Sequence, residues 1–142
     1  MRNSFCADQV RDPLLLVARI LMMLLFIVFG WQKLIGYGGT VAYFTQTGVP
    51  LPLLAAPVAV LMELGVGIAI ALGLLTRPLA VLLGLYTIAT AVIGHQFWEM
   101  SGSERVEAEI NFLKNVSIMS GLFVLYLTGA GRFSLDRRLN LA

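Results

Sequence analysis

Glu63 is the only charged residue within residues 53–75, a run otherwise made of apolar and small side chains. A run of that length crosses a bilayer, so the acid falls near mid-membrane, where ionisable groups are costly and mark ligand sites or proton paths. Two chemistries suit it. As a structural group it would pair with a cation, and Lys114, about 6 Å inside its own span, has a side chain long enough to reach down to it. As a working group it would accept a proton or hold a ligand, close to a cation and an imidazole in an enclosed site. One acid can serve both roles. Pro57 bears on the depth: a helix beginning there would leave Glu63 only about 9 Å from the outer end.

The companions of Glu63 are few. On the first apolar run Arg19, Met23, Phe26, Gly30 and Lys33 recur at intervals of four and three, so both cations share one stripe. Gly84, Ile88, Ala91, His95 and Trp98 do the same on the third, and Asn111, Lys114 and Asn115 share a face at the start of the fourth. Polar groups avoid lipid tails, so these faces should turn inward and line a polar pocket with Glu63. Each has a plainer reading as well. His95 stands beside Gln96, Phe97 and Trp98, where amphipathic rings anchor to headgroups, and it is also the one imidazole able to relay a proton. Lys33 and Arg19 read as snorkelling anchors as readily as site residues.

Other chemistries are absent from the pattern. Cys6 is the only cysteine, so the chain has no intramolecular dithiol, and one histidine cannot supply a bis-histidine haem. There is no phosphate-binding glycine motif and no cluster of metal ligands, so no metal site and no covalently held cofactor is expected. Ten Lys and Arg against eight Asp and Glu are scattered between apolar runs, without the clustering that nucleic-acid binding needs.

These residues must be positioned by a membrane domain. With 58% hydrophobic residues and a mean hydropathy of +0.86, residues 1–142 read as a single all-α membrane domain in contact with the lipid bilayer. Four apolar runs, 14–35, 53–75, 79–98 and 110–129, should form a four-helix bundle, since backbone amides cannot stay unpaired in hydrocarbon. The first run could instead be a secretory signal, with residues 20–31 uninterrupted and Thr40-Val41-Ala42 downstream, but its full length and the three spans that follow favour a retained helix. The Thr76-Arg77-Pro78 turn makes the second and third spans antiparallel neighbours. Arg2, Arg11, Arg19, Arg77, Arg132, Arg137 and Arg138 fall at one end and Lys33, Arg105 and Lys114 at the other, which places both termini in the cytoplasm.

Outside the spans, residues 40–47 suit a short interfacial helix able to act as a lid, with Val41 and Phe44 on one side, stopped by Gly48. Ser101 and Glu104 fit a capping box opening a helix into the fourth span. Gly65, Ala69 and Gly73 form a small-residue packing ridge for a neighbouring helix or a second copy of the chain, so a homo-oligomer stays open.

In order along the chain, Gly30-x-x-Lys33-Leu34, Glu63 followed by Gly73-Leu74-Leu75-Thr76-Arg77, His95-x-Phe97-Trp98, Asn111-Phe112-x-Lys114-Asn115 and Gly129-x-Gly131-x-x-Ser134-Leu135-Asp136 resemble the DoxX family of small bacterial membrane proteins. The resemblance runs from about Arg11 to Arg138. It implies a multi-pass protein of the bacterial inner (plasma) membrane, of a kind often described as an oxidoreductase. Relatives include a small subunit of thiosulfate:quinone oxidoreductase and proteins associated with quinone or oxidative stress. It brings no catalytic residues with it.

Two functional classes follow. In the first, a quinone-handling redox subunit, Glu63 and Lys114, helped by His95, bond the ring oxygens and manage protons, Phe97, Trp98 and Tyr86 pack on the ring, and electrons come from a protein redox partner. In the second, a scaffold or assembly protein, the polar pairs only specify the bundle while its surface docks an enzyme. A small-solute carrier built by oligomers is a third, for which four helices per chain are few.

Overall fold

The computed structural model describes the backbone of residues 2–141 and the side chains of residues 10–141; the side chains of Arg2 and Cys6 lie outside the described residues. Every regular element among these residues is a helix. Helix α1 spans Arg2–Ile35, α2 Tyr37–Gln46, α3 Pro52–Leu72, α4 Thr76–Gly94, α5 Gly102–Thr128 and α6 Leu135–Arg138, with a single 3₁₀ turn at Phe97–Glu99. Four of these segments, Val10–Ile35, Pro52–Leu72, Thr76–Glu99 and Gly102–Thr128, are long and apolar enough to cross a membrane. They correspond to the four runs read from hydropathy, and a belt of exposed leucine, isoleucine, valine and aromatic side chains surrounds them.

The fifth helix, α2, is the short surface helix expected before the second span, begun three residues earlier than expected. It follows α1 almost without a break: Gly36 interrupts the helix, and α2 then leans on the first half of α3. Val41 and Phe44 are half-buried while Ala42, Tyr43 and Thr45 are exposed, so its apolar side faces the bundle. Gly48, at φ +73°, ends it, with the Val49 N–H donating to Phe44 O at 2.9 Å. That is the glycine-dependent closure a left-handed residue permits.

The bundle consists of two helix pairs. In one, α1 and α3 run antiparallel and approach closely through glycine. A Cβ on Gly30 would lie 2.5 Å from the Leu64 nitrogen, and one on Gly67 would lie 3.4 Å from Phe26 Cβ. In the other, α4 and α5 pack along most of their length, with Gly84 facing Met119, Leu122 and Phe123. The shared core holds Met23, Phe26, Met62, Val66, Ile70, Leu83 and Leu122. The stripe expected on α1 is the buried face of that helix: Arg19, Met23, Phe26 and Gly30 are all buried, and Lys33 is partly so.

Two local expectations do not hold. Gly65, Ala69 and Gly73 do not form one packing ridge against a neighbouring helix of the same chain. Gly65 is exposed, and Gly73 lies beyond the helix end at φ +75°, so α3 meets its neighbour through Gly67 instead. The capping box at Ser101 is not formed either. Ser101 has the extended conformation of an N-cap residue, but its side chain makes no capping bond and the helix opens at Gly102.

Candidate functional site

Glu63 lies within α3 about 16 Å from Pro52 and about 14 Å from Leu72, at 1.5 Å rise per residue. Because α3 begins at Pro52, with Pro57 inside the helix, the carboxyl is as deep as the longer span implies. The backbone is distorted there. Residues Leu61–Val66 form a π-helical stretch between two α-helical ones, a departure frequent at functional sites because the widened turn re-aims side chains.

Two groups meet the acid. Lys33 Nζ donates to Glu63 Oε2 at 2.7 Å, and Tyr86 Oη donates to Oε1 at 2.7 Å. Three helices thus contribute one side chain each: α1 the ammonium, α3 the carboxylate and α4 the phenol. Gly30 explains why Lys33 can reach. Its missing side chain lets α1 sit against the backbone of Glu63 and Leu64, and Lys33, one turn further on the same face, is delivered to the carboxyl. The Lys33 ammonium also lies 5.6 Å from the centre of the Phe29 ring, within the range of a cation–π contact. The Glu63 side chain is 11% exposed, whereas the Lys33 side chain is 24% exposed, so the cluster has an accessible edge on its lysine side.

The cation on Glu63 is therefore Lys33 and not Lys114. Lys114 sits on an exposed position of α5 and makes no bond to the acid. Asn111 and Asn115 are half-buried on α5, and neither is among the groups bonded to Glu63. Phe97, Trp98 and Phe112 form an edge-to-face cluster with ring centres 5.2–6.0 Å apart at the same end of the bundle. Residues expected to form one pocket thus divide: Glu63, Lys33 and Tyr86 come together, while His95, Trp98, Asn111, Lys114 and Asn115 belong to the α4–α5 end. Tyr86 and Phe29 are the residues that spacing alone undervalued. The signal for Lys33 was present in its place on the Gly30 stripe.

A second polar cluster lies about 15 Å further along α3. Arg19 is 1% exposed and is not a snorkelling anchor. Its guanidinium donates to Ala71 O at 3.2 Å, to Phe133 O at 2.8 Å and to Ala130 O, binding the end of α3 to the segment after α5. Gly73 fits beneath it, since a Cβ there would fall 2.5 Å from Ser134 Cβ and 2.9 Å from Arg19 Nη1. Asp136, 6% exposed, accepts from the Leu75 and Thr76 N–H groups at 2.6 and 2.9 Å, and its own N–H returns to Gly73 O at 2.8 Å. The two glycine-containing motifs at residues 73–77 and 129–136, sixty residues apart in sequence, are halves of one joint.

With this geometry in place, comparison with known proteins is decisive on kinship. The DoxX family model matches residues 14–96. The chain belongs to the DoxX family. Inner membrane protein YphA of Escherichia coli (strain K12) is 52% identical over 94% of this chain and 96% of its own length. Inner membrane protein YqjF of the same strain is 42% identical over 93% and 96%. ER-derived vesicles protein ERV29 of Saccharomyces cerevisiae is 28% identical over 92% of this chain, which covers 35% of that protein. No solved structure matches. Four membrane-crossing helices and close inner-membrane relatives make this DoxX chain a multi-pass inner-membrane protein.

Proposed function

We propose that this DoxX protein is the membrane subunit or accessory of a quinone-linked redox system, and that Glu63, Lys33 and Tyr86 form its ligand site. The observation that carries the reading is the joining of an acid, an ammonium and a phenol from three helices at a π-helical stretch deep in the bilayer. A ring oxygen arriving from the lipid side would meet Lys33 first, through the accessible edge, and Phe29 offers an aromatic face beside it. Lys33 would then exchange its bond to Glu63 for one to the ligand, while Glu63 and Tyr86 hold or pass the proton that ring chemistry requires. Electrons come from a protein partner, since a single cysteine cannot form a dithiol carrier.

One observation favours a second reading, a scaffold that docks a partner enzyme. Both Glu63 oxygens already have a donor, which is what a purely structural polar cluster needs. The relatives' names record a membrane and not a reaction.

Mass spectrometry of lipid extracts from protein purified in mild detergent, wild type beside Glu63→Gln, separates the two. Stoichiometric enrichment of a quinone or other aromatic lipid, lost in the variant, is the outcome expected of a ligand site. A folded variant and a wild type that both lack such a ligand would sink the redox reading and move the search to a protein partner.

A further inference from the structure

The Arg19–Asp136 joint borders a cleft of about 520 Å³ at the end of the bundle where α4 begins and α5 finishes. Its wall includes Arg77, Arg132 and Arg137 together with Asp12, Thr76 and Asp136. Three guanidiniums against two carboxylates leave these side chains with a small positive excess, and the carboxylates are held by other groups. Asp136 is occupied by two backbone N–H groups, and Asp12 Oδ1 accepts from the Arg132 N–H at 3.0 Å. Both carboxylates therefore serve the backbone, and among the described residues none of the three guanidiniums pairs with a carboxylate. Arg77 lies over Gly129, where a Cβ would come within 3.3 Å of its Nε, so the absence of a side chain there holds the guanidinium at the cleft.

A second, independent observation marks the same place. Thr76 is fully buried, it belongs to the cleft wall, and its Oγ1 is the one buried side-chain polar atom without a hydrogen-bond partner among the described residues. A hydroxyl in that condition costs free energy unless something supplies its missing partner. Thr76 also opens α4, whose N-terminal dipole end favours negative charge.

We infer that this cleft binds a phosphate-bearing anion through Arg77, Arg132 and Arg137, and that a small shift of the wall on binding brings the buried Thr76 hydroxyl within reach of one of its oxygens. Guanidinium forks match phosphate geometry, and basic pockets at the ends of membrane helices suit phospholipid headgroups. The same chemistry would accept a free phosphate. The site is separate from Glu63 and independent of the function proposed for it.

The test uses full-length protein in mild detergent and native mass spectrometry, with phosphatidylglycerol in one arm, phosphatidylcholine as the zwitterionic comparison of net zero charge, and inorganic phosphate added to each. Phosphatidylglycerol is expected to give a 1:1 adduct at least ten-fold tighter than phosphatidylcholine, weakened about ten-fold by Arg77→Gln or Arg132→Gln. Displacement by millimolar inorganic phosphate would assign the cleft to free phosphate, whereas resistance to it would assign the site to the lipid. Thr76→Val keeps the shape of the side chain and should preserve the melting temperature while weakening the adduct about three-fold. Equal binding of both lipids with no competition by phosphate, or an anionic adduct unchanged in all three folded variants, would overturn the inference.

Discussion

Two polar clusters sit on the same pair of helices and are built on opposite plans. At the Arg19 end, charged side chains bond to backbone: three carbonyls take the guanidinium and two N–H groups take Asp136. Around Glu63, side chains bond to each other, on a helix that has left regular α geometry, with Lys33 still partly exposed. A charge spent on backbone groups is locked in place, because moving it would strand several carbonyls or amides at once. A charge held by two side chains can trade partners, since each has rotamers available and an incoming ligand can replace one bond. The first plan suits a joint and the second a site.

The largest predicted effect follows from the joint. Arg19→Met should orphan one buried and two partly buried carbonyls, at roughly 1–3 kcal/mol for the buried one and less for each of the others, enough together to undermine a marginal membrane fold. Expected is a protein that is degraded or runs as aggregate in detergent; a sharp monodisperse peak with a near-native melting temperature would remove the distinction between the clusters. Among changes to the packing of α1 on α3, Gly30→Ala should cost about 1–3 kcal/mol, because the new methyl would sit 2.5 Å from the Leu64 nitrogen. It should also separate Lys33 from Glu63, so ligand retention is expected to fall with stability, both readable in one thermal-shift and extraction experiment.

Tyr86→Phe is comparable in stability and sharper in meaning. It removes one donor from a buried carboxylate, a charge-assisted bond worth about 1.5–3 kcal/mol, while keeping the ring. If Glu63 is a working acid, the variant should stay folded and lose turnover or ligand in membranes from a strain lacking the native gene. If the cluster is only structural, stability should drop with no separate functional loss.

The degree to which this was legible in the sequence follows the same physics. Spans can be read because hydropathy is summed over some twenty residues, and the common face of Arg19, Met23, Phe26 and Gly30 follows from helical period on one chain segment. Pairing between helices is another matter. Lys33 and Lys114 are both cations at the far end from the arginines, and only the closeness of α1 and α3 at Gly30, a property of two helices together, decides between them. The π-helical stretch has no local signature in Leu61–Val66, and the fate of Arg19 depended on carbonyls fifty to more than a hundred residues away. The glycine motifs at 73–77 and 129–136 carried the family resemblance while their meeting stayed hidden, because a joint is visible only when both halves are in place.

The smallest predicted effect tests that choice of partner directly. Lys114→Met alters an exposed position of α5 with no bond to Glu63, so stability should change by no more than about 0.5 kcal/mol and any ligand should be retained. Lys33→Met removes the cation that touches the acid and leaves a carboxylate in apolar surroundings with only the tyrosine as donor, a loss of about 3–5 kcal/mol for a buried pair, reduced here because Lys33 is partly exposed. Adding Glu63→Gln to each variant completes a double-mutant cycle. Coupling confined to the Lys33 cycle would place the acid's partner on α1; equal coupling with Lys114 would mean the α4–α5 hairpin closes over Glu63 in the membrane, uniting the two polar regions that stand apart here.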